Sequence, residues 1–123
     1  MNDIEWAVER QIRRFAILND AHDHDGLAAM FTDDGRFARP TEPDAPIIGK
    51  EAIRAFFRDR PKRIARHVMA NILVDVVSEL EVRAHSYVLL HMADKVLVGD
   101  FFDRLMLQND AWLFAERRGT LAW

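Results

Sequence analysis

His67 opens an otherwise apolar run, Arg66-His67-Val68-Met69-Ala70-Asn71-Ile72-Leu73-Val74-Asp75-Val76. An imidazole at the mouth of a strand suits acid–base chemistry, because it titrates near neutrality and its neutral form accepts a proton. Asp20 lies near the end of the first helical segment, and a carboxylate that reached His67 would fix its tautomer and raise its basicity. Two readings compete for each residue. His67 is either a general base or a hydrogen-bonded structural histidine, and Asp20 is either its orienting partner or a helix-terminal residue facing solvent.

Other side chains share the faces on which such a pair would act. Strand alternation turns Arg66 outward if His67 points inward, and gives Asn71 the parity of His67, as a substrate-orienting amide or a buried amide satisfied by backbone. Phe101 and Asp103 share parity on a later strand, where Asp103 either binds substrate or pairs with an arginine, since a buried carboxylate needs a partner. The run His22-Asp23-His24-Asp25 is rich in ligand types but lacks convergent spacing. Alternate residues on a helix diverge and no His-x-x-x-His pair occurs, so a connecting loop is expected there, and no metal.

The elements that must position these groups follow from periodicity. Ile4, Val8, Ile12, Phe15 and Ala16 form one helical stripe from residue 3 to about 22. Asn19 falls in the middle of that stripe, and Asp20 at its edge, about 80° from Ile12. A short helix is expected from Asp23 to Phe31, a turn at Asp33-Asp34-Gly35, and a short strand from Arg36 to Arg39. The Pro40–Pro46 loop cannot lie inside a sheet and is a candidate lid or pocket rim. A third helix spans Lys50 to Asp59, between Gly49 and Pro61. Four strands near 66–77, 81–92, 95–108 and 111–119 then form an antiparallel meander, in which Val82, Ala84, Ser86, Val88 and Leu90 face one way and His85 and His91 the other. Helices first and strands second predict a single α+β domain over residues 1–123.

Composition narrows the function classes. Half of the 123 residues are hydrophobic, enough for a core. The net charge of −3, with basic residues scattered among acids, predicts no nucleic-acid partner and no polybasic membrane anchor. The chain has no cysteine, which removes disulfides and thiolate chemistry. An acidic start and the lack of any apolar run near the ~20 residues that span a bilayer predict a cytoplasmic protein.

Taken in order, Asp20, Asp23, Leu27, Phe31, Asp34-Gly35, Gly49, Arg66-His67, Asn71, Gly99, Phe101, Asp103, Trp112 and Arg117 resemble the SnoaL-like branch of the nuclear transport factor 2-like superfamily. The resemblance covers nearly the whole chain. It implies a cone-shaped α+β barrel, in which N-terminal helices pack on a strongly curved, mostly antiparallel sheet enclosing a hydrophobic pocket. Within the branch the chain looks most like the group of scytalone dehydratase, hexachlorocyclohexane dehydrochlorinase and bile-acid dehydratase. By that likeness Asp20 and His67 are the catalytic pair, the histidine removing a proton while the aspartate orients it. The reaction implied is a cofactor-free elimination, isomerisation or hydration of a small hydrophobic ring compound. Phe15, Asn19, Phe37, Phe56, Asn71, Ser86, Phe101 and Asp103 would contact that compound, with Met30 and Val88 adding to the apolar wall.

Two departures stand out. Phe15 replaces a tyrosine of several relatives, and Ser86 stands where scytalone dehydratase has a second catalytic histidine. The same fold serves as a non-catalytic ligand-binding or assembly module in beta subunits of ring-hydroxylating dioxygenases, which is the alternative reading. Both allow a homodimer or higher homo-oligomer through the outer sheet face, with Tyr87, Leu89 and Trp112 as candidates.

Overall fold

The computed structural model describes residues 3–123. Helix α1 (Asp3–Asp20) buries Val8, Ile12, Phe15, Ala16 and Asn19, the helical stripe continued one turn beyond its last apolar member. It ends at Asp20 rather than Ala21 or His22 because His22 takes a left-handed conformation, φ 58°. The Asp23 amide then donates to the Leu18 carbonyl (3.0 Å) and the His22 amide to that of Asn19 (3.1 Å), closing a Schellman cap. Asp20 is therefore the last helical residue, held at a fixed angle. Asp23 caps α2 (His24–Ala29) by accepting from the Gly26 amide at 2.9 Å.

Strand β1 runs Phe31–Ala38, longer than the sequence suggests, and β2 is the dipeptide Ile47–Ile48. Asp33-Asp34-Gly35 was expected to be a turn. It is instead absorbed as an irregularity inside β1, where register with the neighbouring strand shifts between Phe31 and Arg36. Helix α3 (Lys50–Asp59) buries Ile53 and Phe57. Strands β3 (Ala65–Val76), β4 (Glu81–Met92), β5 (Val96–Gln108) and β6 (Ala111–Leu121) form the meander. The sheet order is β2-β1-β6-β5-β4-β3, antiparallel except where β1 meets β6. The sheet curls around the helices without closing, so β2 and β3 are edges. No helix among the described residues is long and apolar enough to cross a membrane.

Phe15 is the hub of the core, with ring centroids of Phe31, Phe37, Phe57 and Phe114 at 5.6–6.0 Å. Trp112, a candidate for the outer face, is buried with this core. Tyr87 and Phe102 are the aromatic rings exposed on the outer sheet surface. At the β5–β6 contact, a Cβ on Gly99 would lie 2.3 Å from the Thr120 carbonyl oxygen, a backbone atom that cannot yield alone. Gly99→Ala is expected to cost about 1–3 kcal/mol by the overpacking this forces, read as a lowered thermal midpoint. An unchanged midpoint would show that the two strands can part freely.

Candidate active site

The Asp20 carboxylate grips His67 at two points. The His67 amide donates to Oδ2 at 3.0 Å, with Oδ1 at 3.3 Å, and the ring Nδ1 donates to Oδ1 at 2.6 Å. A carboxylate only accepts, so the hydrogen belongs on Nδ1 and the lone pair on Nε2. Both side chains are mostly buried, with 13% and 12% of their surface exposed for His67 and Asp20. Burial lowers the imidazole pKa below its ordinary value; the hydrogen bond and charge of Asp20 oppose this, while the charges of Arg60 and Arg63 add to it. The result is a histidine kept neutral and oriented. Arg66, next in sequence, is exposed on the opposite side of β3.

His67 lines a cavity of about 200 Å³ that Asp20 does not reach. With Nδ1 turned to Asp20, Nε2 is the nitrogen left for the cavity. Its walls come from the C-terminal end of α1 (Asn19), the start of the proline loop (Pro40, Thr41), α3 (Phe56, Phe57), and the inner faces of β1, β4 and β5 (Phe37, Val88, Leu90, Phe101). Only the first two residues of the proline loop thus contribute to the rim. Thr41 and Asn19 are the uncharged polar side chains on this surface, and the buried Asn19 Oδ1 has no hydrogen-bond partner.

Of the residues singled out in the sequence, His67, Asn19, Phe37, Phe56, Val88 and Phe101 meet at this cavity. Four of the expected substrate contacts, Phe15, Asn71, Ser86 and Asp103, do not, and neither does Met30. Asn71 sits on a β-bulge, in left-handed conformation at φ 51°, where the pairing of β3 with β4 slips between Ala70 and Leu73. The bulge inverts the alternation, so Asn71 is exposed while Ile72 and Val74 pack on the core. Phe15 and Met30 are inward but lie in the solid core rather than on the cavity wall. Ser86 is wholly buried, with its hydroxyl unpartnered.

Asp103 is buried beside Arg117 across the β5–β6 pair, Oδ1 to Nε 3.6 Å, the arginine pairing that was one of its two readings. The Arg117 guanidinium lies 4.0 Å from the Phe101 ring centroid and 4.5 Å from that of Phe15. Burial drives the Asp103 carboxyl up to about 6 despite the opposing charges of Arg117 and His85.

The run His22-Asp23-His24-Asp25 is used locally. His22 Nε2 meets the Arg63 carbonyl at 3.2 Å, Asp23 is the cap described above, and Asp25 pairs with Arg54. Sequence reasoning missed the cavity's cations, Arg39, Arg60, Arg63 and Lys95. A signal existed, since Arg60, Lys62, Arg63 and Arg66 crowd the seven residues before His67.

Comparison with known proteins agrees with this architecture. A candidate scytalone dehydratase from Novosphingobium aromaticivorans superposes with a TM-score of 0.83 at 26% identity, over 95% of this chain and 83% of that one. LinA superposes at 0.84 with 19% identity, over 100% and 92% of the two chains. A cystatin-like-fold protein of unknown function from Nostoc punctiforme gives 0.84 at 20% identity, over 98% and 93%. No curated protein matches the chain. The SnoaL-like domain model matches residues 3–118, and the chain belongs to that family, within the nuclear transport factor 2-like fold.

Proposed function

We propose that the cavity is the active site of a cofactor-free lyase or isomerase, dehydratase-like in type, that acts on a small hydrophobic ring compound with His67 as general base. One observation carries this reading: a single carboxylate fixes both the amide and the Nδ1 of a histidine that lines a cavity walled by Phe37, Phe56, Val88 and Phe101. The Nδ1 contact sets the ring's tautomer and direction, and the amide contact holds the carboxylate against the strand.

In the proposed reaction, Nε2 takes a proton from a substrate carbon as the C–H bond breaks. The electron pair becomes a new C=C bond, and in an elimination the leaving group departs with its own bonding pair and then receives the proton. In an isomerisation the proton returns to a different carbon. Asp20 stabilises the imidazolium between the two steps, and the Asn19 amide and Thr41 hydroxyl supply polar contacts. The apolar walls keep water from competing for the reactive intermediate and strengthen these contacts. The volume sets the scale of the substrate. About 200 Å³ is below the ~300–1,000 Å³ of pockets for drug-sized ligands, which favours one ring over a fused system.

Incubation of monocyclic candidates in D₂O, followed by mass spectrometry and NMR, tests this directly. Deuterium incorporation or loss of HX is expected with wild-type protein and not with a folded His67→Ala variant. Reaction that persists in that variant removes the mechanism. If the cavity binds ring compounds tightly and transforms none, the protein is a ligand-binding or assembly module.

A further inference from the structure

Four cations line the cavity, Arg39, Arg60, Arg63 and Lys95, and no aspartate or glutamate among the described residues joins them. That imbalance is notable in a chain whose net charge is −3. Arg39 is offset by Glu42 at 2.7 Å, but Arg60, Arg63 and Lys95 form no salt bridge among the described residues. Arg63 and Lys95 are exposed at the mouth, where water compensates their charge. Arg60 is not so placed.

The Arg60 guanidinium lies 4.9 Å from the Phe57 ring centroid, and its Nη2 donates to the Asn19 carbonyl at 2.8 Å. Its Nε is buried with no hydrogen-bond partner. Burial, then the like charge of Arg63 and to a smaller extent that of Arg39, lower its pKa, and the charge of Asp20 opposes them. A half-buried cation, lining a cavity among other cations and with no acid paired to it, is costly unless an anion shares the space.

We propose that the substrate is a monocyclic carboxylate, its ring against Phe37, Phe56 and Phe101 and its carboxylate bound by Arg60 and Arg63. This builds on the reading of the cavity as a reaction site and adds the polar handle that orients the compound in it. A planar guanidinium matches a carboxylate through paired N–H donors. The arrangement also couples binding to chemistry. Burial chiefly holds down the basicity of His67, and the charges of Arg60 and Arg63 add a smaller part, with Asp20 opposing them, so an anion that neutralises the arginines relieves that smaller part when substrate arrives.

The test uses matched pairs, phenylacetate against phenylacetamide and cyclohexene-1-carboxylate against its carboxamide, titrated into full-length protein while the His67 ring resonances are followed by NMR. At low ionic strength each carboxylate is expected to bind about tenfold or more tightly than its amide, the range of a charge-assisted hydrogen bond. The preference should shrink as salt is added and be lost in Arg60→Gln. Arg63→Gln, at an exposed position, is expected to weaken it too, and carries the test alone if Arg60→Gln does not fold.

Amides that bind as well as carboxylates and shift His67 equally would overturn the carboxylate and leave the cavity as the ligand site. A carboxylate preference unaffected by either substitution would overturn the assignment to these arginines. A panel in which no compound perturbs His67 would remove the cavity reading as well.

Discussion

Replacing His67 with alanine is expected to slow carbon-proton exchange by about 10²–10⁴-fold, the usual range for a positioned acid–base group. The fold should survive. His67 is at the mouth of an edge strand and its ring faces a cavity, so truncation removes little core packing. Asp20→Asn should give a smaller kinetic loss, because an amide can still occupy the site but stabilises imidazolium less.

The pH profile separates these roles. Activity needs the neutral ring, so the rate rises with pH through the folded-state pKa, and burial places that midpoint below the ordinary imidazole value of about 6.5. Asp20 is what holds the value up against burial and the two arginines. Removing its charge should therefore move the acid limb to still lower pH while the plateau falls. A plateau that falls with no movement of the limb would mean that Asp20 acts only by holding the backbone.

The second large effect concerns stability. Asp103→Ala is expected to cost about 3–5 kcal/mol, the range for stranding one member of a buried ion pair, measured by chemical denaturation. Arg117 is completely buried, and none of its side-chain nitrogens finds a hydrogen bond. The surrounding rings soften its isolation, but they do not replace a counter-ion.

The two partners are unequal. A guanidinium does not readily shed its proton, whereas a carboxyl raised to about 6 can take one. Arg117→Met should therefore be milder than Asp103→Ala, and the double change to Leu and Met should recover much of the loss.

Titration provides a second readout. Between about 4 and 6 the folded protein holds a proton on Asp103 that the unfolded chain has released. This group therefore makes stability fall as pH rises across that window. His67 acts with the opposite sign, because its lowered pKa makes the unfolded chain bind more protons just below 6.5. The difference in stability between wild type and Asp103→Asn isolates the first slope. A difference that stays flat from pH 4 to 7 would contradict a buried, titrating carboxyl.

Where pattern and punctuation coincide, the fold was legible. Gly49 and Pro61 bracket α3 at Lys50–Asp59, and strict alternation delimits β4 at Glu81–Met92. The start of β1 was hidden because Asp33-Asp34-Gly35 carries turn chemistry that a bulged strand can also absorb. Asn71 was misplaced for a related reason. One left-handed residue reverses the parity of everything after it, and asparagine tolerates that conformation without advertising it.

The Asp20 and His67 pairing was suggested by family order, not by spacing, since a sequence separation of 47 leaves the distance to the fold. Facing inward did not decide which residues line the cavity. Phe15, Ser86 and Asp103 all point inward, yet at their levels side chains fill the space. The cationic rim was legible only in part, through the basic run before His67, because its other members come from the end of β1 and the turn before β5, places brought together only by folding.

Asp20 has a consequence beyond chemistry. Strand β3 is a free edge, the kind of border onto which another extended chain can add by main-chain pairing. The Asp20 carboxylate takes the one edge amide at His67 out of reach and places a negative charge over it. Edge protection and the proposed proton transfer therefore draw on one side chain. Variants at this position should be checked for self-association before lost activity is read as lost catalysis.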